Sequence, residues 1–433
     1  MSDNNLSNIF MVSLYMIMRI QSSLILGYLL GFIAFFAPIL GFIAPKGLSP
    51  LVIIGSILGI LILWFRRQRI EWLNFPVFLI LLCFCIWALL TSIWSIDVIS
   101  SSIGSARLLG NFVAGGLLFT TIKNITEDEK VLVLRFFLTG FMIVMCILVL
   151  ELLFAGPIFF AIKGLDIERT GGGGVFWLNH AVVVLSLFVW PIALGLYKKL
   201  TLFKINKHPV FFIVCGFFVI LILSIAISFS SGTLALFFGI LGAILILIFG
   251  RRVAIAAALI TAIVSFLLPF GFSVLQNPIS QINSLISLPS SAEHRIAIWK
   301  FTSDKVVENP IIGWGMNASK NIPGGQSFIF SEDGKQYGRA LPLHPHNTIL
   351  QIWLELGLPG IVLYVGLCIF IMMTSVNRRR LKFESAMIFG QFVTILSISN
   401  LSFGMWQAWW ISAIWLSAGF MMLIVKMGRK IYS

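Results

Sequence analysis

Twelve apolar runs, each near the roughly twenty residues that a helix needs to cross about 30 Å of hydrocarbon, dominate this chain. They are Ser22–Ala44, Pro50–Phe65, Asn74–Ser95, Ala106–Ile122, Val131–Phe154, Phe176–Tyr197, Val210–Phe229, Gly232–Gly250, Val253–Leu275, Gly357–Thr374, Ala386–Leu401 and Trp409–Lys426. Lipid offers backbone N–H and C=O groups no partner, so such runs must be helices. With 59% hydrophobic and 11% charged residues, the chain carries more apolar surface than a water-soluble core could hide. The expectation is an all-α polytopic bundle of about twelve transmembrane helices, with residues 1–433 forming one integral membrane domain.

The net charge of +14 does not point to nucleic acid, because the cations follow the positive-inside rule. If the spans alternate, Arg66, Arg67 and Arg69, Lys198 and Lys199 with Lys204 and Lys207, Arg251 and Arg252, Arg378–Arg380 with Lys382, and Lys426, Arg429 and Lys430 share one side. That side reads as cytoplasm, with both termini on it. Segments Ala155–Val175 and Gln276–Leu356 then face outward, toward the periplasm of a Gram-negative cell. The longer one, residues 276–356 between the ninth and tenth spans, is expected to fold as a small helical cap. It contains a helix-like piece from Ala292 to Val307, a turn at Glu308-Asn309-Pro310, a Gly313-Trp314-Gly315 corner and a polar stretch to Gly338. Met1–Gln21 has no basic region ahead of its apolar run and is expected to be an interfacial amphipathic helix. The five cysteines all fall in spans, where packing accounts for them.

Chemistry concentrates at the outer boundary. His346 follows His344-Pro345 and precedes a short apolar helix, and a helix start disfavours imidazolium. A neutral imidazole, with an ordinary pKa of about 6.5, can accept a proton near pH 7. The same helix start favours a nearby phosphate, and an arginine can grip phosphate oxygens with a fork that lysine lacks. Arg295 and Trp299 are four apart and share a helical face; for Arg295 the plain alternative is an ion pair with Glu293 or Asp304. Lys300 and Asp304 read as an ordinary surface pair. Asn347, Gln351 and Glu355 recur every four residues as a polar stripe, read here as the wall of an aqueous cavity. His344 reads either as support for the site or as a turn residue, and Lys163 either as steering an anionic ligand or as a solvated loop cation. His180 reads as a helix-to-helix hydrogen-bond partner. Gly357 and Gly360 read as breaking the short helix and allowing close packing. His344-x-His346 lacks the partner ligands a metal would want, so neither metal nor cofactor is expected.

His346, Asn347, Gly357 and Gly360 fill a pattern of His, then Asn, Ser or Gln, nine residues, Gly, two residues, and Gly, Thr or Tyr. With the upstream series Arg295, Trp299, Pro310 and Gly313-Trp314-Gly315, and with the twelve spans, the chain resembles the O-antigen ligase and polymerase family of membrane glycosyltransferases. The resemblance implies a GT-C-like fold and a metal-independent, inverting transfer from an undecaprenyl-diphosphate-linked glycan. In that scheme His346 activates the acceptor hydroxyl and external arginines hold the diphosphate. Arg295 matches the first of these arginines. Arg169, in the sequence Glu168-Arg169-Thr170-Gly171, is the match for the second, although the four glycines Gly171–Gly174 depart from the family's usual loop. Asn347, His344, Trp299 and Lys163 complete the expected substrate-binding set. A lipid A-core acceptor makes the activity a ligation; a polymerase would use the same donor and differ only in acceptor. A transporter or flippase would call for repeat symmetry and charged mid-membrane helices, and neither is evident.

Overall fold

The computed structural model describes residues 24–67, 70–72, 74–154, 178–202, 231–285, 290–330, 336–377 and 380–428, with isolated positions 158, 161, 288 and 334. Its elements are α1 (Leu24–Ile43), α2 (Leu48–Phe65), α3 (Phe75–Leu90), α4 (Val98–Lys123), α5 (Glu127–Leu153), α6 (Asn179–Leu202), α7 (Ser231–Phe249) and α8 (Arg251–Val274). Then come α9 (Pro278–Asn283), α10 (Ser290–Glu308), the antiparallel pair β1 (Phe328–Phe330) and β2 (Gln336–Arg339), α11 (Thr348–Ser375), α12 (Lys382–Leu401) and α13 (Ala408–Lys426). Among the described residues ten helices are long and apolar enough to cross a membrane: α1 to α8, α11 and α13. The protein is an all-α, multi-pass membrane protein.

Two of the twelve expected spans account for the difference. Val210–Phe229 lies outside the described residues. Ala386–Leu401 is helical as part of α12, but buried Glu384, Ser385, Gln391, Thr394 and Ser399 make it less apolar than the others. Thr394 and Gln391 are bonded to neighbouring helices. Trp190 of α6 donates to Thr394 Oγ1 at 3.0 Å, Gln391 donates to the Ser417 hydroxyl, and that hydroxyl donates to the Leu187 carbonyl at 2.9 Å. In a bundle surrounded by lipid such bonds and close contacts, rather than hydrophobic burial, hold helices together.

The described members of the cation clusters lie at one end of the bundle. Arg66 at the end of α2 pairs with Glu129 at the start of α5 at 2.6 Å, and Lys198 of α6 pairs with Glu384 of α12 at 2.6 Å while also donating to the Val425 carbonyl of α13. Glu129 closes a capping box with Thr126. At the opposite end lie the α3–α4 connection, the described residues between 275 and 347, and the α12–α13 connection. The described cysteines are free thiols, Cys85 and Cys368 buried and Cys83 and Cys146 on the outer surface; Cys215 lies outside the described residues, as does Met1–Gln21.

The segment between α8 and α11 departs from an all-helical cap. The helix read at Ala292–Val307 is present as α10, but the polar stretch before Gly338 contributes two short strands, with Phe328 facing Arg339 and Ile329 facing Gly338. The tenth span also begins earlier than Gly357. Its backbone is helical from Thr348, breaks at Gly357 (φ 62°, ψ −156°) and resumes, so the nine residues of the histidine motif form a separate helical turn buried inside the protein.

Candidate active site

The break at Gly357 is what seats the motif helix. Its last carbonyls would be orphaned without external donors. The Gly313-Trp314-Gly315 corner supplies two: Trp314 N–H donates to the Leu354 carbonyl at 2.8 Å and Gly315 N–H to the Glu355 carbonyl at 2.9 Å. The Trp87 indole on α3 donates to the Leu356 carbonyl at 2.8 Å. A Cβ on Gly357 would stand 2.4 Å from the Ile311 carbonyl oxygen, and one on Gly313 would stand 2.7 Å from the Gly357 nitrogen. Two glycines forty-four residues apart in sequence thus interlock, both at positive φ, and neither position has room for a side chain.

At the other end of the motif helix the chain makes a tight turn. Asn347 is the N-cap, its side-chain oxygen accepting from Leu350 N–H at 3.0 Å. Thr348 donates to the Ser399 carbonyl and Ile349 N–H to the Asn400 side chain, which anchors the turn to the end of α12. Trp299 of α10 donates to the Pro345 carbonyl at 3.0 Å, and His346 N–H donates to His344 Nδ1 at 3.2 Å. His346 itself has φ 53°, a conformation non-glycine residues seldom adopt and one that the surrounding bonds hold in place.

The His346 ring is held as firmly as its backbone. Its Nδ1 is hydrogen-bonded to the carbonyl oxygen of Ser402, in the α12–α13 connection. A carbonyl can only accept, so Nδ1 carries the proton and Nε2 keeps its lone pair. Burial holds the imidazole below its ordinary pKa; the Ser402 carbonyl works against this, and the charges of Arg295 and His294 add to it. The ring is therefore neutral near pH 7 with its basic nitrogen fixed in orientation. His344 is pushed further, to about 3, by burial and by its neighbour His346, and so stays neutral. Its ring is 4.3 Å from that of His346 between centroids, and the absence of a side chain at Gly404 makes room for it. His344 thus braces the turn through the His346 main chain.

Arg295 sits on α10 one turn before Trp299, half-buried, and its charge is felt at His346. Burial draws its pKa down from the ordinary arginine value. The ion pair that would have made it merely structural is not formed: Asp304 is taken by Lys300 at 2.7 Å and Glu293 accepts from Asn283 at 2.9 Å. Among the described residues no group accepts a hydrogen bond from the Arg295 guanidinium. Trp299, Asn347 and His344 use their polar atoms to shape the turn. Arg169 and Lys163, with Gly171–Gly174, lie outside the described residues. The His180 ring packs against Phe403 and Trp409 at the edge of the α12–α13 connection.

The polar stripe is not a cavity wall. Gln351 and Glu355 are buried, Glu355 completely, and both are bound to protein donors. Four-residue spacing reports which helix face is polar; it does not distinguish water from buried partners on that face. The Ser402 carbonyl escaped the sequence reading altogether, because a main-chain oxygen from a distant connection leaves no trace in residue type.

The described residues thus form a bundle of membrane-crossing helices with a half-buried, oriented histidine and, among those residues, an unpaired arginine at one end, and parts of the chain are similar to known proteins. Residues 216–365 match the family profile described as O-antigen ligase. It is similar to provisionally named polysaccharide ligases of Rickettsia conorii, 33% identical over 259 residues (58% of this chain, 59% of the relative), and of Rickettsia prowazekii, 32% identical over 260 residues (58% and 60%). The matched region thus spans about three fifths of the curated relatives' length. No solved structure matches the chain.

Proposed function

We propose that the chain is an O-antigen ligase of the bacterial inner membrane, with both termini in the cytoplasm and the histidine end in the periplasm. It transfers polysaccharide from undecaprenyl diphosphate to a lipid A-core acceptor. The observation that carries this is the pairing of His346, whose Nδ1 is committed to Ser402 and whose Nε2 has no hydrogen-bond partner among the described residues, with Arg295, whose guanidinium has no partner among the described residues. An acceptor hydroxyl bound at Nε2 loses its proton to the imidazole as its oxygen attacks the anomeric carbon from the face opposite the diphosphate. The bond from that carbon to the diphosphate oxygen breaks, the configuration inverts and undecaprenyl diphosphate leaves. Arg295, with Arg169 as its partner, offsets the charge gathering on the leaving oxygens. Lys163 attracts the anionic donor, while Trp299, His344 and Asn347 hold the turn. None of these steps calls for a metal or cofactor.

The names of the rickettsial relatives and the domain description support ligation over the polymerase alternative. The deciding experiment is gene deletion with recovery of surface glycan on gels. Full-length polymer retained on the undecaprenyl carrier, with bare lipid A-core, is the expected phenotype; accumulation of single repeat units would instead establish a polymerase.

Arg295→Lys keeps the charge and loses the fork. Steady-state kinetics on this variant are expected to show kcat/KM reduced by about 10- to 100-fold, as for loss of one charged hydrogen bond of about 1.5–3 kcal/mol. An unchanged kcat/KM would remove Arg295 from the donor site.

A further inference from the structure

Glu355 is nine residues beyond His346, about 13 Å along a helix, too far to touch the imidazole. It is nevertheless fully buried at 0% exposure in a helix the chain devotes to crossing the membrane. Asn317 N–H donates to Oε2 at 2.6 Å, the Trp406 indole to the same oxygen at 2.6 Å, Gln351 to Oε1 at 3.2 Å, and the Ser319 hydroxyl also to Oε1. All four donors are neutral. A buried carboxylate is costly to keep, and leucine or methionine would fill the same space without that cost. An ionisable residue retained at such a site calls for a role in function.

The identity of the donors indicates the role. Asn317 and Ser319 belong to the segment that follows the Gly313-Trp314-Gly315 corner, and Trp406 belongs to the α12–α13 connection, residues 402–407. Gln351 reinforces the second tie, since its side-chain oxygen accepts from Met405 N–H at 2.9 Å while its amide reaches Glu355. That connection begins with Ser402, whose carbonyl fixes the His346 tautomer.

We propose that Glu355 is a positioning residue: its carboxylate clamps the residue 402–407 connection against the motif helix, and through that connection it holds the Ser402 carbonyl on His346 Nδ1. This rests on His346 being the base. When the clamp is released, the carbonyl withdraws and the ring can turn. The interaction that raises the proton affinity of His346 is then lost, while the groups that lower it, Arg295 and His294 on α10, remain, as does neutral His344 beside it.

The test compares pH–rate profiles of the full-length protein in lipid nanodiscs, with undecaprenyl-diphosphate-linked oligosaccharide and lipid A-core as substrates. Glu355→Gln, Trp406→Phe, the double variant and His346→Ala are measured beside the parent. Glu355→Gln is expected to lower kcat by about 10- to 100-fold, as for a misplaced catalytic group, to leave the donor KM within about twofold, and to move the acid limb to lower pH. Trp406→Phe deletes one indole N–H and keeps an aromatic ring beside Phe84, so it is expected to act in the same direction more weakly. The double variant is expected to be no worse than Glu355→Gln, because both changes break one tie. An unmoved acid limb in both single variants, or a fall in rate carried by KM alone, overturns the positioning role. If His346→Ala is inactive while Glu355→Gln and Trp406→Phe match the parent, the inference fails and the base assignment stands. An active His346→Ala removes both. Should Glu355→Gln fail to fold, the acid limb of Trp406→Phe decides.

Discussion

His346→Ala is expected to lower the rate of polysaccharide transfer by on the order of 10²- to 10⁴-fold, the usual contribution of a positioned general base, with the donor still bound. Among the described residues neither neighbouring histidine is a ready substitute. His344 has one ring nitrogen accepting from the His346 main chain and its pKa pushed down to about 3, so its remaining basicity is slight. His294 is turned toward the Arg339 carbonyl. The pH dependence follows with a definite sign. A base works only when neutral, and burial, Arg295 and His294 hold His346 below the ordinary imidazole value of 6.5. The rate is therefore expected to persist as pH falls through about 6.5, where a solvent-exposed histidine would already be half protonated, and to decline only at lower pH. A profile whose acid limb sits at or above that value would mean that the titrating base is not this ring, and a His346→Ala variant retaining the parental rate would dismiss it outright.

Gly357→Ala is expected to damage the protein severely. The backbone there, at φ 62° and ψ −156°, lies in a region nearly exclusive to glycine, at a cost of about 1–3 kcal/mol for another residue. The added carbon would also stand 2.4 Å from the Ile311 carbonyl oxygen, and relieving such overpacking costs typically about 1–3 kcal/mol more. The contact is with main chain on a corner that itself caps the motif helix, so the strain cannot be absorbed by turning a side chain. Thermal unfolding in detergent should show a clearly lowered midpoint together with lost transfer activity. Gly366→Ala, further along α11 where nothing lies within 4 Å, serves as the control and is expected to behave as the parent. Equal midpoints for the two variants would show that the break at Gly357 is not required.

Much of this was legible from residue order. Ten of the twelve apolar runs reappear as membrane-crossing helices, because a run of that length and composition has one structural solution in lipid. Ala386–Leu401 is a lesson in the other direction: buried Gln391 and Thr394 leave the helix intact and lower its apolar character, since Gln391 is bonded to α13 and Thr394 accepts from Trp190 of α6. The helix carrying Arg295 and Trp299 was visible from its pattern, and so was their shared face. The strand pair before Gly338 was not, because a few residues at a protein surface carry too little periodicity to separate strand from loop.

The sequence by itself determined that the chain crosses a membrane many times as helices, that its cations gather at one end, and that His346 and Arg295 belong to the other. Those properties depend on the medium each short segment meets, and amino-acid type encodes that directly. Only the tertiary structure decided which nitrogen of His346 is basic, that Arg295 lacks an ion-pair partner among the described residues, that Glu355 is clamped by four donors rather than wetted, and that Gly313 and Gly357 interlock. Each of these depends on an atom brought from a distant part of the chain, often a main-chain carbonyl or amide that every residue type possesses, and so it has no signature in the order of side chains.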